Sequence, residues 1–384
     1  MPGLYIHIPY CVRKCLYCDF YSVATSDRPL SGRITHALAT DHSEFLDALE
    51  IELSQLPATF APETIFIGGG TPTELSDVDF ERLLTMVRTQ VDIRRVEEWT
   101  CESNPGTLTR SKADMFRPAG INRVSLGVQS FQAENLEFLG RIHSGEEAVA
   151  GYQLLRDAGI GNINLDLIFA IPGSDRGRLE EDLEMIIRLN PEHTSCYCLM
   201  FEPGTPLTKL RDDGFVREAD DQEAAEQYQL VRERYLRDGY HQYEISNFSR
   251  RGYECRHNLL YWGAGEYIGC GPSAHSHWSG HRYGNVANTR VYCKALLRGQ
   301  SPRDFDELLD PESKARETLV MGLRRLNGVR HDHFLRETGF DYRNLGSPQL
   351  QKLTDLGLLE DNGTELKLTQ KALFISDAVF ADLI

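Results

Sequence analysis

The sequence predicts an α/β fold, a partial (β/α)6 TIM-like barrel followed by a small C-terminal winged-helix-like α+β domain. Two observations carry this. From the start to about residue 200, short β-rich runs alternate with amphipathic stretches. Six strand-then-helix units in succession are the pattern of parallel strands with helices packed outside. The unusual residues also fall at the C-terminal ends of successive strands, where barrels of this kind carry their chemistry. Six units are too few to close an eight-stranded barrel, so the expectation is an open, splayed one.

Taken in order, LYIHI (4–8) reads as the first strand, and the cysteine-rich CVRKCLYCDF (11–20) follows it. SEFLDALEIELSQL (43–56) has apolar residues at helical spacing, with Ser43 or Asp41 available as an N-cap. TIFIG (64–68) is a strand ending in glycines, and DFERLLTMVRTQV (79–91) is the helix after it. EWTCES (98–103), RVSLGV (123–128), INLDLIF (163–169) and TSCYCLM (194–200) continue the strands, with LEEDLEMIIRL (179–189) as one intervening helix. A long helix is expected over ADDQEAAEQYQLVRERYLRDG (219–239). Tyr240 to about Arg290, rich in Gly, His and aromatics, reads as irregular. The remainder reads as helix, short helix, helix, hairpin, helix. These divide the chain into 1–205 (barrel), 206–305 (helical and irregular extension completing the core) and 306–384 (winged-helix-like domain).

With 41 Lys and Arg against 57 Asp and Glu, the net charge of −16 opposes binding to phosphate backbones, which needs a basic face. No nucleic acid partner is expected. MPGLYIHIPY lacks a basic region followed by an apolar stretch, and no apolar run approaches the roughly 20 residues of a membrane span. The expectation is a cytoplasmic protein without an integral membrane segment, with any membrane contact peripheral and through partners.

In that compartment the nine cysteines should be reduced. Six are scattered and read as small buried apolar side chains. Cys11, Cys15 and Cys18 form a cluster. A structural zinc site needs four ligands, and the fourth would have to come from elsewhere, such as His7. An iron–sulfur cluster fits better, because thiolates hold such clusters and three of them leave one iron open for another ligand.

CxxxCxxC, the aromatic Tyr17 before its third cysteine, and a glycine run after the next strand resemble the radical S-adenosylmethionine (SAM) superfamily. That resemblance implies a [4Fe–4S] cluster on Cys11, Cys15 and Cys18, with the open iron chelated by SAM, whose sulfonium an electron from the cluster cleaves to a 5′-deoxyadenosyl radical. YIHIPYC, FIGGGTPT, ESNPGT, RVSLGVQSF, GRIHS, NLDLIFAIPG and FEPGT, in this order, resemble the oxygen-independent coproporphyrinogen III oxidase family over essentially the whole chain. The resemblance puts Tyr5 at the SAM carboxylate and the Tyr17 backbone at the adenine. Gly69, Gly70 and Thr71 would offer backbone N–H groups and a hydroxyl, and glycine there lets the main chain approach a ligand closely. Glu102 would face the positively charged end, and Gln129, Arg141, Asp166 and Met200 complete the SAM set. Each residue also has a structural reading in isolation: a strand-end turn for GGGT, a solvated strand end for Asp166, a surface cation for Arg141.

Two departures bear on the branch. The dehydrogenase branch has a further cysteine two positions after the third, where this chain has Phe20, and a substantial segment before the cluster loop, where the first strand here starts almost at Met1. CxxxCxxCxF resembles the haem chaperone (HemW-type) branch, as does HNxxYW, which reads HNLLYW at 257–262. The resemblance implies a protein that binds haem and passes it to acceptor proteins. His257 would be the axial ligand, with Tyr261 and Trp262 as flat apolar surface. His275, His277 and His281 are rival ligands, and His257 hydrogen-bonded in the core is the structural alternative. Implied partners are haem acceptors and an electron donor such as a flavodoxin or ferredoxin. The competing functions are SAM-dependent oxidative decarboxylation of coproporphyrinogen III and radical SAM methyl transfer. No catalytic residue is assigned.

Overall fold

In the computed structural model, which describes residues 2–26 and 41–384, one twelve-stranded sheet organises the chain. Its centre is parallel. Strands β1 (Gly3–Ile8), β2 (Thr64–Gly69), β3 (Glu98–Ser103), β4 (Arg123–Gln129), β5 (Ile163–Phe169) and β6 (His193–Cys198) lie side by side in chain order. Their register runs Gly3 with Thr64 and Thr64 with Glu98. All six coincide with strands read from the sequence. Helices cover their apolar outer face, and the inner face carries polar side chains such as Ser125, Asn164 and Asp166 towards the interior.

The intervening helices begin where short polar side chains can accept a first-turn N–H. Asp41 caps His42–Ser54, Ser76 caps Asp77–Gln90, and Asp175 caps Arg176–Leu189. Ser144 and Glu147 form a reciprocal capping box on Gly145–Asp157. The long helix is Asp221–Arg237, capped by Asp220.

The stretch from Tyr240 to Arg290 is not irregular, and this is the main correction to the sequence reading. Tyr267–Cys270 is a seventh parallel strand, β7, on the free side of β1, with Gly3 opposite Tyr267 and Ile6 opposite Cys270. Beyond it His275–Trp278, His281–Asn285 and Arg303–Leu308 add antiparallel strands. At the other edge Asn247–Ser249 and His241–Gln242 do the same. YIGC is too short, between glycine-rich turns, to show a period, and its partner lies more than half the chain away.

Glu52, half-buried on the helix His42–Ser54, docks this extension. Its carboxylate accepts from Gly271 N at 2.7 Å, Asn285 Nδ2 at 2.7 Å and the Tyr292 hydroxyl at 2.5 Å. The helix Arg256–Trp262 closes the end of the sheet away from the cysteines. Its first N–H groups donate to Glu98 at 3.0 and 3.1 Å, and Leu260 packs so closely on Gly3 that a Cβ there would lie 2.5 Å away. Towards the C-terminus come helices Pro311–Leu323, His331–Thr338, Tyr342–Leu345 and Ser347–Asp355, the hairpin Leu359–Asp361 with Glu365–Leu368, and helix Ser376–Leu383. Val329–Arg330 adds an unforeseen third strand to the hairpin.

Glu52→Ala leaves three buried donors without an acceptor. The expected loss is about 2–4 kcal/mol of unfolding free energy, read from denaturant midpoints, whereas Glu50→Ala on the exposed face of the same helix changes it by less than about 0.5 kcal/mol.

Candidate functional site

Each parallel strand from β1 to β6 is buried except where it faces the interior. The interrupting positions include Tyr5, Phe66, Glu102, Gly127, Asp166 and Tyr197. Alternation puts every second residue of a strand on the interior side. Together with the cysteine loop, Phe66, Glu102, Gly127, Asp166 and Tyr197 bound a cavity of about 470 Å³. Cys11, Cys15 and Cys18 line it, as does every SAM candidate except Tyr5. Tyr5 lies just beneath, its ring 6.3 Å from that of Phe66 in the cavity wall.

The cysteine loop leaves β1 and is pinned from outside. Arg13 donates to the carbonyls of Gly140 and Arg141 at 3.2 and 3.0 Å, and Leu16 exchanges main-chain bonds with Leu139 and Leu207. Leu16 and Tyr17 pack on a small apolar cluster containing Leu139, Ile168 and Leu207. Thr71 Oγ1 lies 3.5 Å from Cys11 Sγ, and Arg141 Nη1 donates to Cys15 Sγ at 3.5 Å. His7 is no fourth ligand. Its Nε2–H donates to the Tyr21 carbonyl at 2.8 Å, and its Nδ1 accepts from the Tyr5 hydroxyl at 3.0 Å. Among the described residues no three His, Cys, Asp or Glu side chains converge as a single ion requires. A cluster takes each thiolate on a separate iron, so thiols ringing a cavity suit it better.

The glycine turn plays a different part from the one expected. Gly69 has φ +99°, and a Cβ at Gly70 would lie 2.6 and 2.7 Å from the carbonyl oxygens of Tyr10 and Ile8. A Cβ at Gly68 would strike Glu102 at 2.6 Å. The close approach is thus to the protein's own chain. The N–H groups expected to face a ligand are also taken: Gly69 N donates to Glu102 at 3.1 Å, Gly70 N to Ile8 O and Thr71 N to Tyr10 O, each at 2.7 Å.

On the strand side Asp166 accepts from Asn164 Nδ2 at 2.7 Å and Ser125 Oγ at 3.2 Å. Burial first, then the charge of Asp166, push the Glu102 carboxyl up to about 7, against the Gly69 hydrogen bond and the Arg123 guanidinium. Burial likewise raises Asp166. Two carboxyl groups short of countercharge form a receptor for a cationic group. Arg141 Nη2 donates to the Gly127 carbonyl at 2.6 Å, while its buried Nε has no partner among the described residues. Gln129 sits at φ +69° beyond an irregularity in the β4–β5 pairing, which turns its side chain into the cavity. Met200 and Phe20 stand at the rim, 53% and 69% exposed. The cavity therefore suits a cluster on its thiol wall and a cationic, amphipathic ligand beside it. Sequence reasoning missed Arg123, Ser125, Asn164 and Ser195 in this wall. Their signal was a polar residue recurring at period two in otherwise apolar strands.

The haem candidates lie elsewhere. His257 is 1% exposed in the helix plug, with Nδ1 hydrogen-bonded to Thr64 Oγ1 at 2.8 Å and Nε2 to the Tyr261 hydroxyl at 2.8 Å. Burial holds its pKa down at about 3, so it is neutral, and both ring nitrogens are engaged. Here both ring nitrogens of His257 are engaged by protein partners, the hydrogen-bonded core arrangement that is the structural alternative to a ligand role. Tyr261 and Trp262 line a separate cavity of about 440 Å³ against the helix Pro311–Leu323. His275 and His281 are exposed, and His281 Nδ1 pairs with Asp306.

The chain matches the family model of the Radical SAM superfamily over residues 5–186 and that of the HemN C-terminal domain over residues 309–375. It is 34% identical to the heme chaperone HemW of Bacillus subtilis (strain 168) over 99% of this chain and 98% of that protein. To the HemW of Escherichia coli (strain K12) it is 34% identical over 96% and 94%. To that of Mycobacterium tuberculosis (strain H37Rv) it is 33% identical over 100% and 94%. Its fold superposes on coproporphyrinogen III oxidase (HemN) from Escherichia coli with a TM-score of 0.83 at 22% identity, covering 100% of this chain and 90% of that one.

Two outcomes follow from this geometry. Binding a cationic ligand beside Glu102 requires the ionised carboxylate, so SAM affinity by calorimetry should rise as pH increases through about 7 and flatten above it, a dependence that Glu102→Gln should largely remove. His257→Ala should lose about 2–4 kcal/mol of stability, because Thr64 and Tyr261 are left buried without partners.

Proposed function

The chain belongs to the radical SAM superfamily and, within it, to the family of the heme chaperone HemW, and from that premise we propose that it binds haem and hands it to acceptor proteins. The observation that carries this reading is similarity to heme chaperones along essentially the whole of both chains. The cluster loop agrees with it. Phe20, not a further cysteine, stands two positions after Cys18 and projects at the cavity mouth.

In this proposal Cys11, Cys15 and Cys18 hold a [4Fe–4S] cluster whose remaining iron is open to SAM. Bound there, the cluster supplies one-electron chemistry at the sulfonium. The chain's own residues bind and orient. Glu102 and Asp166 face the cationic end, Tyr17 packs beside the cysteines, and Arg141 braces the loop between Cys15 Sγ and the Gly127 carbonyl. Gly69 N–H holds Glu102 in place, and Tyr5 supports that wall from below. No helix among the described residues is long and apolar enough to cross a membrane. Haem delivery from the cytoplasm, with membrane contact through acceptor proteins, is part of the same reading.

Anaerobically reconstituted protein tests it. Haem titration should reach about one equivalent by absorbance, and coproporphyrinogen III with SAM and a reductant should give no protoporphyrinogen. Robust turnover of coproporphyrinogen would sink the chaperone reading. Iron content should collapse in Ala variants of Cys11, Cys15 and Cys18 and stay unchanged in Cys101→Ala.

A further inference from the structure

We infer that Arg123 is a positioning residue for the cationic ligand of the cysteine cavity: from one layer beneath Glu102 and Asp166 it keeps both carboxyl groups ionised while leaving their oxygens free for the ligand. The inference rests on the SAM-binding reading of that cavity and adds the residue that tunes it.

Arg123 opens β4, opposite Thr100. Two positions on, and on the same interior face, Ser125 lies opposite Glu102 and donates to Asp166 at 3.2 Å. Two residues of strand advance about 6.5 Å, so Arg123 belongs to the layer of side chains next below the carboxyl pair. It lines the cavity at only 2% exposure. Its Nε is buried without a partner, and no hydrogen bond or ion pair holds the guanidinium among the described residues.

A buried cation with no bonded anion destabilises a fold, and an apolar side chain of similar length would pack there more favourably. What a guanidinium adds is a permanent charge in a low dielectric, where it acts on carboxylates it does not touch. Three carboxyl groups lie within reach of that charge. Glu98 is already satisfied by two main-chain N–H groups of the helix Arg256–Trp262, at 3.0 and 3.1 Å. Glu102 has one such donor, Gly69 N, and stands beside the like charge of Asp166. Against the upward push of burial, the Arg123 charge favours the ionised form of both Glu102 and Asp166. A guanidinium in direct contact would do the same but occupy the oxygens that a sulfonium or ammonium group must meet. Held a layer away, it supplies the charge without competing.

The other titratable groups around the pair do not replace it near neutral pH. Burial raises the phenols of Tyr5, Tyr197, Tyr243 and Tyr261, which stay neutral. Burial also keeps His7, His193 and His257 neutral and raises the thiols of Cys101 and Cys255. Arg141, the other buried guanidinium of the wall, is committed to Cys15 Sγ and the Gly127 carbonyl. Arg13 is tied to two main-chain carbonyls, and Lys14 stands on the cysteine loop.

The test uses the full chain with its cluster reconstituted anaerobically, and SAM titrated by calorimetry from about pH 6 to about pH 8.5. Thermal unfolding is recorded for each variant. Arg123→Met should move the rise in affinity, centred near 7 in wild type, upwards by about one pH unit or more. Binding would then be roughly tenfold weaker at about pH 6 and as tight as wild type, or tighter, at the alkaline end, where the ligand no longer meets a neighbouring cation. Arg123→Gln carries the same expectation should the Met variant fail to fold. In the Glu102→Gln background, Arg123→Met should produce no further shift of the profile. If the neutral variants keep the wild-type midpoint, or weaken SAM equally at every pH, Arg123 is a packing residue and the inference is overturned. If wild type binds no SAM at all, the reading of the cavity falls and this inference with it.

Discussion

The site depends on the main-chain junction between the end of β1 and the glycine turn after β2. Gly70 and Thr71 donate to the carbonyls of Ile8 and Tyr10 across a gap too narrow for a Cβ at Gly70. That junction fixes where the cysteine loop leaves the sheet, since Cys11 follows Tyr10 directly. It also turns Gly69 into a left-handed conformation, from which its N–H reaches Glu102. One pair of backbone hydrogen bonds therefore places both the thiol wall and the carboxylate wall of a single cavity. A side chain at Gly70 would spread the two strand ends and separate walls that must act on one ligand.

The opposite end of the sheet shows the complementary requirement. A barrel open at both ends would admit water beneath the carboxyl pair and screen its charge. The helix Arg256–Trp262 fills that end, with Leu260 against Gly3 and His257 bonded to Thr64, while Asn258 reaches the floor of the cavity. Glu98 accepts the helix's first N–H groups and so anchors it to the strand it covers. A motif that resemblance associates with haem thus has, in the folded chain, a structural duty towards the cluster cavity. Tyr261 and Trp262, at the far end of the same helix, border the cavity against the helix Pro311–Leu323. A single helix therefore touches both cavities.

The six core strands and their helices were legible because parallel strands covered on both faces read as short apolar runs, and because Ser, Asp and Gly punctuate the helices between them. The three cysteines and the SAM candidates were legible because each interrupts such a run, or follows it, with a residue that has no packing purpose there. β7 was not legible. Four residues cannot establish a period, and what makes YIGC a strand is the edge of β1 left free by a chain segment some 260 residues earlier. The docking role of Glu52 was hidden for the same reason, since its three donors come from residues brought near only by that strand.

The sequence by itself determined the inventory: three thiols at cluster spacing, a glycine turn, carboxylates at the ends of particular strands, and histidines in the later third of the chain. Those are facts of residue type and local spacing, which a polypeptide carries whether or not it is folded. Only the tertiary structure decided which of these groups have capacity left to bind anything. The turn's N–H groups and Nδ1 of His257 are consumed by partners distant in sequence, and Nε2 of His257 by Tyr261 one helical turn on. Hydrogen-bonding capacity is finite, and its allocation is settled by which groups the fold brings within about 3 Å of one another.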